Sequence, residues 1–342
     1  MPDITLTVEC PCHTSDMAEE SIKINSNWVR IDVESIEIGE PQPDGTRPLQ
    51  LRFSKARYKL QEDGSVRDIQ TNDVFPAEVW KSAINQMIGA VANRPTVKSP
   101  EYRDLYERLQ ERSEAIGYAL EHPESIEQPQ SPENPLADMV GSQVALAALC
   151  IDLVGSTQLQ ASNPDAYGRI VPLLLRELAE IVGDFKGVIV NFTGDGLIAA
   201  FDGQGISIAA CDAAVHAASV MVAVVYTALN TQLERHGLPA VDIRIGADAS
   251  EASVRVVGSA ASRTQPDVYG MALTMAAKIQ AVGTPGEVWV GERLHGHLHV
   301  NNQVTCVPVE PPASWRFVNG GNWAYKLYAI PVRSWVATPV AA

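Results

Sequence analysis

Between residues 144 and 290, apolar runs of strand length alternate with helix-period segments in the order β-α-β-β-α-β, an order that few topologies accommodate. Residues 144–153 are almost continuously apolar, and 166–182 repeat apolar positions at helical spacing. Residues 187–192 and 197–201 form two short strands, and Thr-Gly-Asp-Gly at 193–196 between them reads as a hairpin turn. A long Ala/Val-rich helix over about 207–235 closes at Gly237 and Pro239. Residues 241–249 and 252–258 read as paired strands, 269–282 as a helix and 287–290 as a strand. The pattern predicts an α+β fold with a ferredoxin-like split β-α-β core.

What precedes this block has a different texture. Residues 4–8, 29–33, 36–38 and 49–53 alternate as strands do, and Pro43-Asp44-Gly45 marks a turn. Helical stretches follow at 77–92 and 102–120, the second densely charged with Arg103, Glu107, Arg108, Glu111, Arg112 and Glu114. Pro123, Pro129, Pro132 and Pro135 then punctuate an extended stretch. The expected division is a smaller β-rich and helical N-terminal region (1–121), a Pro-rich linker (122–140), the α+β domain (141–330) and a tail (331–342).

Charge narrows the partners. The chain carries 26 Lys and Arg against 41 Asp and Glu, a net charge of −15. That excludes a protein held on nucleic acid or anionic lipid by bulk charge. The excess is concentrated, with 25 acids and 14 bases in residues 1–140 against 16 and 12 beyond. The five cysteines (10, 12, 150, 211 and 306) form no CxxC pair, and no signal peptide is evident, so a reduced cytoplasmic setting is expected. The apolar run 213–229 contains His216, Ser219 and Thr227 and reads as a buried or interface helix rather than a membrane span.

Two acids stand out by position. Asp152 ends an apolar strand and precedes Leu153-Val154-Gly155-Ser156-Thr157, a turn whose Ser or Thr can cap the next helix. Asp195 lies in the hairpin turn. In a split β-α-β core these are neighbours, so both carboxylates can converge on hard divalent cations beside a helix N-terminus that accepts phosphate. Each also has a plain structural reading, as helix cap or turn former.

Four ordered segments carry a family resemblance: Cys150-Ile151-Asp152-Leu153-Val154-Gly155-Ser156-Thr157; Asn191-Phe192-Thr193-Gly194-Asp195-Gly196; Ile243-Arg244-Ile245-Gly246; and Pro266-Asp267-Val268-Tyr269-Gly270 leading to Thr274 and Lys278. Together they resemble the class III adenylate/guanylate cyclase catalytic domain over about residues 142–330. The resemblance implies a homodimer with active sites at its interface. It implies two Mg²⁺ or Mn²⁺ ions per site, held by Asp152, Leu153 and Asp195, and a nucleoside triphosphate cyclised by attack of its own 3′-hydroxyl. Val154, Gly155, Ser156 and Thr157 would cradle the phosphates. The partner would bring Asn191 and Asp267 to the base, and Thr274 and Lys278 to the ribose and phosphates.

Departures from the family pattern bear on the substrate. Asn191 stands where adenylate cyclases usually have Lys and guanylate cyclases Glu, and Asn is uncharged with both donor and acceptor. An Asn donor to O4 and an Asp267 acceptor at N3–H match uracil; cytosine can use its exocyclic amine. Thr274 and Lys278 replace the usual Asn and Arg, on one helix face. The combination is similar to the bacterial pyrimidine cyclases of Pycsar antiphage defence, which implies UTP as substrate, cyclic UMP as an alarm signal and a downstream effector responsive to it. Cytidylate cyclase, adenylate cyclase and an inactive nucleotide-sensing dimerisation module are the alternatives. A diguanylate cyclase or polymerase palm is disfavoured, because the hairpin lacks a second acid.

Weaker signals remain. Val318-Asn319-Gly320-Gly321-Asn322 takes the place of the family's second phosphate-binding Lys, and Lys326 is the nearest cation. His295, His297 and His299 would bind a transition metal only from a shared strand face, and read better as surface histidines. Trp315 and Trp323 read as packing residues, and Arg263 as a loop residue near the site.

Overall fold

The structure is a computed structural model that describes residues 5–10, 21–24, 27–30, 33–38, 47–53, 57–69, 72–92, 105–122, 135–203, 208–258, 264–319 and 324–336. Arg263, Trp323 and most of the Pro-rich stretch lie outside the described residues. The chain divides into two compact units, one built mainly from Met1–Ser99 and the other mainly from residues beyond Pro100.

The first unit holds β1 (Thr5–Cys10), β2 (Ser21–Ile24), β3 (Asn27–Arg30), β4 (Val33–Ile38), β5 (Arg47–Phe53), β6 (Tyr58–Leu60), β7 (Val66–Asp68), β8 (Val74–Phe75) and α1 (Ala77–Ala92). They form an antiparallel sheet β1-β5-β4, a β2-β3 hairpin and a β6-β7-β8 meander. Trp80 of α1 is the hub, with the rings of Tyr58, Phe53 and Phe75 at 4.9, 5.4 and 5.9 Å. Beside them the buried Arg57 pairs with Asp68 at 2.8 Å.

The second unit begins with α2 (Leu105–Glu121). Its basic and acidic residues part: Glu107, Glu111 and Glu114 are exposed, whereas Arg112 donates to the buried Glu177 at 2.6 Å, Arg108 pairs with Asp184, and Ser113 accepts from Gln232 at 2.9 Å. Ile116 and Leu120 meanwhile enter the core. The sequence grouped this helix with the N-terminal region; by its contacts it packs with the second unit, because its arginines find partners there.

β9 (Gln143–Leu153) leads through α3 (Ser156–Ser162) and α4 (Pro164–Asp184) to the hairpin β10 (Val188–Phe192) and β11 (Leu197–Gly203). α5 (Ile208–Ala223), a π-helical stretch Val224–Leu229 and α6 (Asn230–Arg235) make one long helix. β12 (Ile243–Gly258), β13 (Thr264–Gly270), α7 (Met271–Val282), β14 (Val288–Gly291), α8 (Glu292–His297), β15 (Val307–Val309) and β16 (Leu327–Ile330) complete the unit. The sheet order is β10-β11-β9-β12-β14-β16-β15, with β13 beside β12.

One expectation is corrected. Residues 241–249 and 252–258 are not paired strands. They are one strand, β12, antiparallel to β9 from Ile243 to Ser253 and then to β13 from Ala252 to Gly258. Ser250-Glu251 contains neither Gly nor Pro to turn the chain, so the strand runs on, and the hairpin partner is β13 instead.

Strand parity sorts the core. Ala147, Leu149, Ile151 and Leu153 of β9 face a large cluster with α4 and the long helix, whereas Leu146, Ala148 and Cys150 face a smaller one with Ala272 and Ala276 of α7. The long helix has the length and apolarity of a membrane span, but Ala214, Ala218, Met221, Val225 and Leu229 are buried in the larger cluster. Met221, Val225 and Leu229 each contribute ~1.5–3 kcal/mol by leaving water, and the alanines less.

On the α7 side of β12, Gly246 lies so close to α7 that a Cβ would sit 2.2 Å from the Gln280 amide nitrogen and 2.3 Å from the Ala276 carbonyl oxygen. Farther along, Asp248 is buried, accepting from Tyr325 Oη at 2.7 Å and from the amides of Ala249 and Leu294 at 2.9 and 3.3 Å. Burial pushes the Asp248 carboxyl up to about 6, against the lowering effect of those donors.

Two outcomes follow. Gly246→Ala should destabilise the second unit by about 1–3 kcal/mol or more, read from its denaturation midpoint, because backbone must move to admit the methyl group. For Asp248, a folded-state pKa above the unfolded value means stability that is present below about pH 4 and lost as pH rises through about 6. The stability of Asp248→Asn relative to wild type should therefore rise across that window; a pH-independent difference would contradict this assignment.

Candidate active site

Asp152 is the next-to-last residue of β9, and parity turns it to the face covered by α7. Arg244 is its register partner on β12 and stands on the same face, with Nη2 3.6 Å from Asp152 Oδ2. From α7, Gln280 Nε2 donates to that same oxygen at 3.3 Å. Asp152 is thus held by one cation and one neutral amide, and its side chain remains one-third exposed, at 33%.

Asp195 is delivered by the β10–β11 turn. Gly194 has φ +100°, a left-handed conformation that suits glycine. Gly196 is pressed on β9 so closely that a Cβ would lie 2.1 Å from the Ile151 carbonyl oxygen and 3.1 Å from Asp152 Cα. Only glycine allows that contact, and it sets the two carboxylates beside each other. The electrostatic signature is visible at Asp152, whose pKa is raised by burial first and by the Asp195 charge second, with Arg244 and Gln280 opposing.

The turn after β9 differs in detail from expectation. Gly155, at φ +68°, is the N-cap of α3; Ser156 and Thr157 lie inside the first turn, and no side chain caps that helix. The Gly155 carbonyl takes the first helical bond, from Leu159 at 2.9 Å. Val154 is tied by its amide to the Asp242 carbonyl at 2.9 Å, and the Leu153 side chain is buried, so only its backbone faces the site.

The remaining sequence candidates lie on neighbouring surfaces. Asn191 is exposed on β10 at a register shift, four residues before Asp195. Asp267 stands opposite Arg255 on β13, its Oδ1 accepting from the Val268 amide at 2.8 Å. Thr274 and Lys278 are exposed one turn apart on α7. Among the described residues, no hydrogen bond or ion pair joins Asp267, Thr274 or Lys278 to Asp152 or Asp195.

Arg244 and Gln280 were not singled out as site residues from the sequence. Arg244 lies within the segment Ile243-Arg244-Ile245-Gly246, and its ladder pairing with Asp152 is what brings it to the site. Gln280, two positions after Lys278, carries no sequence signal of its own.

The weaker candidates resolve simply. His295, His297 and His299 fall in and after α8 rather than on a strand; His295 stacks on Tyr328 at 3.7 Å, and His297 Nδ1 meets the Arg293 carbonyl at 2.7 Å. Among the described residues no group of three metal-ligating side chains converges. Trp315 packs edge-on against Phe317 and donates to the Tyr325 carbonyl at 3.1 Å. Lys326 is exposed on the approach to β16, its amide donating to Glu292.

Two neighbouring carboxylates are hard-oxygen ligands suited to Mg²⁺ or Mn²⁺, and the uncapped start of α3 beside them offers free backbone N–H groups suited to an anion. Comparison with known proteins agrees with this chemistry. Residues 142–313 match the family model described as the adenylate and guanylate cyclase catalytic domain. An uncharacterized protein of Rhizobium meliloti (strain 1021) is 30% identical over 198 residues, which is 58% of this chain and 18% of the relative, so the chain spans about a fifth of that relative's length. Among solved structures, the guanylyl cyclase Cya2 is 21% identical with a TM-score of 0.47, covering 56% of this chain and 94% of that one. The adenylyl cyclase CyaB from P. aeruginosa is 19% identical with a TM-score of 0.48, covering 55% and 94%. With the matched segment spanning half of the sequence and containing Asp152, Asp195, Arg244 and Gln280, the chain belongs to the adenylate and guanylate cyclase catalytic domain family.

Proposed function

We propose that the chain is a nucleotidyl cyclase that converts a nucleoside triphosphate, UTP by preference, to its 3′,5′-cyclic monophosphate and pyrophosphate. The observation that carries this reading is the Asp152–Asp195 pair, held side by side by the backbone contact at Gly196. Divalent cations bound there would acidify the 3′-hydroxyl and neutralise the departing pyrophosphate. The 3′-hydroxyl gives up its proton to solvent, its oxygen forms a bond to the α-phosphorus as the bond from that phosphorus to the bridging oxygen breaks, and pyrophosphate leaves with the electron pair.

This chain's own groups supply the rest. Asp152, Asp195 and the Leu153 carbonyl would hold the cations. The amides of Gly155, Ser156 and Thr157 and the turn at Val154 receive the outer phosphate oxygens. Arg244, beside Asp152, adds a fixed positive charge to the same pocket. Asp267, with Oδ1 held by the Val268 amide, keeps Oδ2 free to accept from a base N–H, and Asn191 donates to a carbonyl. Thr274 donates a hydrogen bond to the ribose or phosphate, and Lys278 offers a point charge without the fork of an Arg.

A homodimer supports the assembly of these groups. Phe192, Val256, Tyr269 and Met271 are large apolar side chains left 47–55% exposed. They lie on the β10–β11 hairpin, the β12–β13 ribbon and the start of α7, which carry Asn191, Asp267 and Thr274. Apolar side chains gathered on such elements fit burial against a second copy. The role we assign, production of a cyclic pyrimidine nucleotide as an antiphage signal read by an effector protein, rests on the base-reading combination of an uncharged Asn191 with Asp267.

Incubation of the pure protein with each of the four triphosphates and Mn²⁺ should yield cyclic UMP as the main product; cyclic AMP alone would sink the pyrimidine assignment. Asp152→Ala with Asp195→Ala should lower the rate by at least ~10³-fold, because all cation-dependent stabilisation is lost. A second reading, an inactive nucleotide-sensing module, is motivated by Thr274 and Lys278 replacing stronger groups. It requires the same double variant to keep its cellular role, whereas a cyclase loses it.

A further inference from the structure

On the reading of Asp152 as a cation ligand, we infer that Gln280 is a positioning residue that fixes the Asp152 carboxylate for the cation. Three observations converge. Gln280 is only 8% exposed, yet its Nε2 points to Asp152 Oδ2 at 3.3 Å, so a buried polar side chain spends its donor on this one carboxylate oxygen. The backbone of α7 at Gln280 is seated against β12 where Gly246 has no side chain, which fixes the distance from helix to carboxylate. The third observation is chemical: of the two groups holding Oδ2, Arg244 is charged and repels an incoming cation, whereas the Gln280 amide is neutral and can stay in place when the cation arrives. With Oδ2 oriented by Gln280, Oδ1 is presented to the ion without loss of side-chain rotamer freedom at the moment of binding.

Helix geometry gives the residue a second significance. Positions 278 and 280 are two residues apart, about 200° around the helix. Lys278 is accordingly exposed while Gln280 is buried against the chain's own carboxylate. The two faces of α7 therefore perform separate tasks, and removing the Gln280 donor should alter cation binding without altering the exposed face.

Gln280→Met keeps the length and volume of the side chain and removes both N–H donors; Gln280→Ala removes them with a better helix former. Mn²⁺ binding to the nucleotide-free chain, followed by the free-ion EPR signal, is expected to weaken about tenfold in either variant that keeps the wild-type circular dichroism and melting midpoint. In the cyclisation assay, the Mn²⁺ concentration for half-maximal rate should rise by a similar factor, with the rate at saturating Mn²⁺ falling less than threefold. A folded variant that binds Mn²⁺ within twofold of wild type overturns the inference, as does one whose saturated rate collapses at unchanged Mn²⁺ affinity. Should neither variant fold, substoichiometric Mn²⁺ must broaden the side-chain amide signal of Gln280 in the ¹⁵N-labelled wild-type chain ahead of other Gln side chains; a signal left sharp overturns the inference. The EPR measurement needs no turnover. Wild-type protein that binds Mn²⁺ but cyclises no nucleotide would therefore count against the cyclase reading alone, and this inference would still be decided by the variants.

Discussion

Backbone lies against backbone at two glycines, on the two sides of one carboxylate, and the site depends on both approaches. Gly196 brings the β10–β11 turn onto the end of β9, and Gly246 lets α7 settle on β12. A methyl group at either point would overlap main-chain atoms that have no rotamer with which to retreat. The first contact sets Asp195 beside Asp152, and the second sets Gln280 beside it. Burial of Asp152 and, after it, the like charge of Asp195 oppose ionisation in the absence of a cation, and the raised pKa of Asp152 expresses that cost. Arg244 relieves part of it from the neighbouring strand.

The large apolar cluster makes this tolerable. It lies on the opposite face of β9, where Ala147, Leu149, Ile151 and Leu153 meet α4 and the long helix, so the strand that carries Asp152 is anchored from behind. Its other face has small residues, Ala148 and Cys150 under Ala272 and Ala276, which bring the helix close enough for the side chain of Gln280 to reach the carboxylate. The alternation of large and small along one strand thus governs both stability and the reach of a side chain from α7.

The order of elements in the second unit was legible because long apolar runs at strand and helix spacing leave little ambiguity. The hairpin at Thr193-Gly194-Asp195-Gly196 was legible because its glycines have a conformational reason to be there. The continuity of β12 was not, since a polar pair, Ser250-Glu251, resembles a break until its ladder partners on β9 are known. The company of α2 was hidden for a similar reason: a charged helix reads as solvated, and the partners of its arginines, Glu177 and Asp184, lie 65 and 76 positions away. In the site, the residues that stand in turns were found from the sequence. Arg244 and Gln280 reach it through strand parity and helix docking, which depend on contacts 92 and 128 residues distant from Asp152.

The exposed positions of Asn191, Asp267, Thr274 and Lys278 have a consequence for how such a domain can diverge. None of the four is part of the hydrophobic clusters, so replacing one costs the fold little. Gly196 and Gly246, by contrast, are locked by main-chain contacts and tolerate almost no drift. The residues we propose to read the substrate thus stand where change is cheap, over a scaffold that close backbone contacts hold in place.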